Sequence, residues 1–197
     1  MTTHTFTISD VLFKGWEKTK EHAWFLLLSM VILLVIMGIF NDVPILSYIV
    51  NTFVTLAFSS VILTIIHNKT PKFHDLTKYF ATYKKPLRIL VLSVIIYLIT
   101  LVGLLLLVLP GIYLAIRFMF YPYYVIEHEH KTIAESLKEI FAITEGNFWN
   151  LFLFGVVAAV LNLLGLLALG VGFLVTLPVT ALACGYIYKT LTPHYKR

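Results

Sequence analysis

Apolar residues fall in four long runs, 23–40, 44–66, 87–126 and 148–188, separated by short polar stretches. A helix of about 20 apolar residues crosses a bilayer. The first two runs suit one crossing each, and the last two are long enough for a hairpin of two helices each. The pattern predicts an all-α integral membrane protein with six transmembrane helices, forming one membrane domain over residues 1–197. The first run is too long for a secretory leader, follows about twenty mixed residues and precedes no small-residue cleavage site, so it reads as a permanent helix.

The polar stretches carry a second pattern. Ile8, Val11, Leu12 and Trp16 recur at helical spacing, as do Phe73, Leu76, Phe80 and Tyr83, and then Ile133, Leu137, Ile140, Phe141 and Thr144. Spacings of three and four place each set on one stripe of an amphipathic helix. Thr7 with Asp10 and Thr132 with Glu135 have capping-box spacing, and Thr70 stands before Pro71 as a cap before a first-turn proline. Aligning the three stripes pairs Leu12 with Leu76 and Leu137, and Trp16 with Phe80 and Phe141. The implied repeats are 7–66, 70–128 and 132–192, each an interfacial helix followed by a transmembrane hairpin. Trp16, Trp24, Tyr83 and Trp149 suit the headgroup depth and are the expected interfacial anchors.

Composition agrees with this and adds orientation. Charged residues make up 13% of the chain, against about 25% in soluble domains. The loops around 41–43, 110–111 and 170–172 hold no Lys or Arg, and all cations but Arg117 fall on the other side. Cations collect in cytoplasmic loops, so both termini are expected in the cytoplasm. The net charge of +5 then belongs to one face, which suits anionic lipid headgroups. Cations interleaved with carboxylates form no continuous basic stripe, which argues against nucleic acid. Cys184 stands alone, so neither a disulfide framework nor a cysteine metal site is expected.

The expected chemistry centres on 108–130. Pro110 and Gly111 are placed to end one helix and turn into the next, and Pro122 to kink the returning helix 111–126. Arg117 stands alone in that apolar segment, about 9 Å from the turn at ~1.5 Å per residue. Buried charges in membranes usually face the protein interior or a cavity. One expectation is that Arg117, with Tyr113 and Tyr121, contacts a lipid phosphate or other anion. The alternative is structural: Arg117 caps carbonyls of the Pro110 turn or snorkels outward. Glu127, His128, Glu129 and His130 have spacing poorly suited to a helical zinc site, so no metal or other cofactor is expected. Asn51, Thr52, Thr55, Ser59, Ser60, Asn162 and Thr176 are polar positions inside apolar runs, while Gly103, Gly155, Gly165, Gly170 and Gly172 would permit close helix packing.

The order Leu109-Pro110-Gly111-Ile112-Tyr113, Arg117, an aromatic stretch, Ala134-Glu135-Ser136-Leu137 and Thr144-Glu145-Gly146-Asn147-Phe148-Trp149 resembles the glycerophosphoryl diester phosphodiesterase membrane-domain family. The match covers about 101–169. The resemblance implies a six-helix prokaryotic inner-membrane fold. It implies no phosphodiesterase activity, because the soluble catalytic domain and its carboxylate and histidine motif are missing from this chain. With no acid–base set, nucleophile or phosphate loop, no enzyme is expected. The chain reads as an accessory or scaffold module organising lipid or a membrane-protein partner, or associating with itself. The alternative is a small-molecule or lipid transporter of flippase type, with Arg117 on the anionic group.

Overall fold

The structure, a computed structural model, describes residues 6–40, 42–76, 86–106, 108–128, 130–168, 170 and 172–192. It is helical among those residues. The principal helices are α1 (Ile8–Glu21), α2 (Ala23–Ile39), α3 (Pro44–Ile66), α4 (Pro86–Leu106), α5 (Val108–Arg117), α6 (Tyr121–Glu127), α7 (Ile133–Ile143), α8 (Phe148–Leu167) and α9 (Phe173–Leu191).

Four segments are long and apolar enough to cross a membrane: Pro44–Ile66, Leu87–Leu105, Phe148–Leu167 and Phe173–Leu191. α1 and α2 together make a fifth if counted as one span, bent by 89°. α2 alone has 17 residues, about 26 Å at ~1.5 Å per residue, slightly short of the ~30 Å hydrocarbon core. The sixth expected span is not one helix. It consists of α5 and α6, separated at 118–120.

That break has a chemical cause. Pro122 has no N–H to donate to the carbonyl of Phe118, and its ring crowds that oxygen. The Phe118 carbonyl accepts from the Tyr121 N–H at 3.0 Å instead. Pro122 therefore sits in the first turn of α6, and the kink it was expected to make lies one turn earlier. Pro110 and Gly111 do not form the expected hairpin turn, because both lie inside α5, which begins at Val108. Proline is tolerated in a first turn, where N–H groups have no helical partner. Gly111 serves packing: a Cβ there would lie 2.6 Å from the Leu104 Cα, so its absence lets α5 press against α4.

α3 is the central helix. In its apolar window 61% of residues are buried, against 17% for α8. The core gathers toward its C-terminal half, where Val61, Ile62, Ile65 and Ile66 meet Phe120, Tyr124, Leu182, Ile187 and Tyr188. Large apolar side chains remain exposed elsewhere, including Ile45, Leu105, Leu109, Leu153 and Leu167. An apolar exterior on this scale suits lipid and not water.

The first amphipathic helix packs on protein. Its buried stripe is Val11, Gly15 and Thr19, rotated from the expected Ile8, Val11, Leu12 and Trp16. Gly15 sets the rotation: a Cβ there would lie 2.5 Å from the Val179 carbonyl oxygen, so α1 and α9 touch backbone to backbone. The buried Thr19 hydroxyl is satisfied by the Gly15 carbonyl at 2.8 Å. Thr7 is the N-cap, yet its side chain makes no cap bond. Asp10 is one methylene shorter than the glutamate of a capping box, which limits its reach back. In the second amphipathic segment the described helix begins at Phe73, leaving Thr70 and Pro71 in the loop before it. Phe80 and Tyr83 lie outside the described residues.

The third amphipathic helix, α7, follows its predicted stripe. Ile140 and Ile143 are buried, and Ile133, Leu137 and Phe141 pack beside the core. Thr132 and Glu135 form the full capping box. The Thr132 backbone N–H, then its hydroxyl, hold the Glu135 carboxyl below its ordinary 4.5. Of the expected anchors, Trp24 and Trp149 are each 75% exposed and Trp16 is 43% exposed. Gly165 packs against Gly172 as a close helix contact, whereas Gly155 faces open space.

Candidate functional site

The broken segment α5–α6 presents two polar faces. On one, Arg117 ends α5, where a cation complements the negative end of the helix dipole. It is 9% exposed. Its Nε donates to the Tyr113 hydroxyl at 3.0 Å. Its Nη1 donates to the Phe141 carbonyl at 3.4 Å and the Thr144 hydroxyl at 3.2 Å. The guanidinium lies 4.4 Å from the Phe141 ring centroid and 5.0 Å from that of Tyr113, within range of cation–π attraction. Arg117 thus holds the C-terminal end of α7 against α5, and caps a carbonyl of α7 in place of the Pro110 turn. A lipid phosphate here would have to displace these partners.

Three further contacts fix α7. Arg88 Nη2 donates to the Ser136 hydroxyl at 2.8 Å. Lys131 reaches Glu139 at 2.9 Å, and the Tyr124 hydroxyl donates to the same carboxylate. Burial pushes the Glu139 carboxyl up, but the Tyr124 and Lys131 bonds outweigh it and hold the group below its ordinary 4.5.

On the other face, Tyr121 at the start of α6 helps line a cavity of about 320 Å³ between α3, α4 and α5. α3 lines it with Tyr48, Asn51, Thr52 and Thr55, and α4 with Ser93, Tyr97 and Thr100. These polar lining residues carry no charge. Several bond inward: Thr52 to the Tyr48 carbonyl at 2.9 Å, Thr55 to the Asn51 carbonyl at 2.9 Å, and Ser93 to the Leu90 carbonyl at 2.9 Å. Tyr48 donates to Ser93 at 3.3 Å. Among the described residues the buried Tyr121 hydroxyl meets no partner in full hydrogen-bonding geometry, although the Ser93 hydroxyl lies close enough to act on it. The cavity can accept and donate hydrogen bonds to an uncharged polar group.

Of the predicted trio, Arg117 and Tyr113 stand together, whereas Tyr121 lines a cavity that neither of them lines. Of the acidic–histidine run, Glu127 accepts from Tyr188 at 2.9 Å and stands 3.8 Å from His67. His128 stacks on Tyr124 at 4.3 Å. Glu129 lies outside the described residues. Among the described residues no group of three His, Cys, Asp or Glu could hold a metal ion. Tyr48, Ser93, Tyr97 and Thr100 escaped the sequence reading, although positions 48, 52 and 55, and 93, 97 and 100, keep the three-to-four spacing that marks a polar stripe. The chain matches no family model, no curated protein and no solved structure.

Proposed function

We propose that the chain is a non-catalytic module of a prokaryotic inner membrane that organises lipid, with six membrane passages and both termini cytoplasmic. The cavity lined by Tyr48, Ser93 and Tyr121 carries this reading. It sets uncharged hydrogen-bonding groups among apolar spans, which suits the hydroxyl or ester region of a lipid. Among the described residues its lining is made of hydroxyls, one amide and apolar side chains. Orientation rests on the one-sided distribution of cations. The three-repeat organisation is supported by α1 and α7, each of which precedes a pair of long helices. Kinship with the glycerophosphoryl diester phosphodiesterase membrane-domain family rests on motif order alone, and would bring the fold without the activity.

Native mass spectrometry of gently purified protein tests the reading. Wild type should retain lipid that Tyr48→Phe/Tyr121→Phe loses. Equal retention by both would sink it. The broken span α5–α6 favours a second reading, transport, because discontinuous helices occur at transporter binding sites. In that case reconstituted vesicles should flip fluorescent lipid faster with wild type than with Arg117→Gln.

A further inference from the structure

A second cavity, of about 400 Å³, opens where α3 ends. The helix closes in a Schellman motif: Asn68 takes a left-handed φ of 56°, its N–H bonds the Ile65 carbonyl at 2.9 Å, and the Lys69 N–H bonds the Thr64 carbonyl at 3.1 Å. This turn folds Lys69 and Thr70 over the helix end, and the loop then brings Lys72 and Asp75 to the same space. A helix C-terminus ordinarily repels anions. Here its carbonyls are already occupied, since Lys189 donates to the Ile66 carbonyl at 2.8 Å and the His67 ring meets the Leu63 carbonyl at 2.8 Å.

The charges in the cavity are unequally engaged. Asp75 accepts from the Lys72 backbone N–H at 2.8 Å. Glu127 is held by Tyr188 and His67. The ammonium groups of Lys69 and Lys72 have no acidic partner among the described residues. Asp75 and Glu127 keep their negative charge but direct oxygens to protein partners, whereas two ammonium groups and a threonine hydroxyl face the open polar space at the end of an apolar helix, a depth where headgroups lie if α3 spans the bilayer. We infer that this cavity binds a phosphate group, carried by a phospholipid headgroup or a soluble phosphate ester, through Lys69, Lys72 and Thr70. The lipid source rests on the function proposed above; the phosphate site does not.

The test is titration of the full chain in detergent with short-chain phosphatidylglycerol, and separately with inorganic phosphate. Lys69→Gln/Lys72→Gln should weaken phosphatidylglycerol binding about tenfold or more. Lys14→Gln/Lys20→Gln removes the same charge from α1 and should match wild type. Equal affinity in the two variants would overturn the proposal, as would the absence of binding to either probe by folded wild type. Displacement of the lipid by inorganic phosphate at comparable concentration would assign the site to a soluble ester, and failure to displace would assign it to lipid. Because Lys69 and Lys72 are exposed, loss of fold is readily separated from loss of binding by the melting curve. Tyrosine-dependent lipid retention that persists in the lysine variant would confine any failure to this site.

Discussion

Gly15→Ala is a sharp probe of how α1 is held. The new Cβ would lie 2.5 Å from the Val179 carbonyl oxygen and 3.1 Å from the Ala183 nitrogen, both backbone atoms that no rotamer change can move. Ordinary contact begins at 3.4 Å, so α1 and α9 must part by about 0.9 Å at their closest point. Overpacking of this kind costs about 1–3 kcal/mol, while alanine regains about 1 kcal/mol of helix propensity. Gly155→Ala supplies the control. It too lies inside a helix, and a Cβ there meets nothing within 4 Å, so only the propensity gain of about 1 kcal/mol applies. The two variants should differ by about 1–3 kcal/mol, or roughly 2–12 °C in Tm for a chain of this length. Thermal unfolding in detergent, followed by tryptophan fluorescence, reads the gap. If Gly15→Ala melts at or above Gly155→Ala, α1 does not rest on α9, and the picture of a helix lying free on the bilayer returns.

Arg117→Gln removes charge-assisted bonds of about 1.5–3 kcal/mol each, and should speed amide exchange at the C-terminal end of α7; unchanged exchange would show that Arg117 does not hold the helix. Arg117→Lys should restore little, because an ammonium cannot span Tyr113, Phe141 and Thr144 as the guanidinium fork does. The Glu139 carboxyl is held below its ordinary 4.5, so its charged form stabilises the fold. That contribution is complete above about pH 4.5 and is lost as pH falls through the lowered folded value. The melting temperature should therefore drop on acidification below pH 4.5, less steeply in Glu139→Gln, and parallel curves would remove Glu139 from the account.

The long apolar helices were legible in the sequence because their signal is local. α3 occupies the run 44–66 end to end, since Pro44 suits a first turn and the Asn68 turn follows the last apolar residue. The break at 118–120 was not legible as placed. The sequence there is Phe-Met-Phe, which contains no breaker, and the proline that causes the break acts one turn upstream through a hydrogen bond it cannot make. The rotated stripe of α1 was hidden for a different reason. Hydrophobic periodicity weighs Trp16 and Leu12 above Gly15, yet the contact with α9 is made by the residue with no side chain. The polar cavity was half legible: Asn51, Thr52 and Thr55 stood out in an apolar run, but nothing local indicated that Ser93 and Tyr121 would meet them.

The fate of each polar group separates structural from functional candidates. In a low-dielectric interior an unsatisfied donor or acceptor is costly and a satisfied one is a fixed joint. Arg117, the conspicuous charge in the sequence, is satisfied by Tyr113, Phe141 and Thr144, and so serves as a joint between α5 and α7. Tyr121, expected beside Arg117, instead lines a polar cavity, and among the described residues its buried hydroxyl, like those of Ser29 and Thr176, meets no partner in full hydrogen-bonding geometry. At the end of α3, Asp75 and Glu127 are engaged by protein, while among the described residues the ammonium groups of Lys69 and Lys72 have no acidic partner. Ligand chemistry belongs where the protein leaves hydrogen-bonding capacity unspent. By that criterion, residues chosen for being unusual in sequence point to how the helices are assembled, and residues chosen for being unpartnered in space point to what the assembly holds.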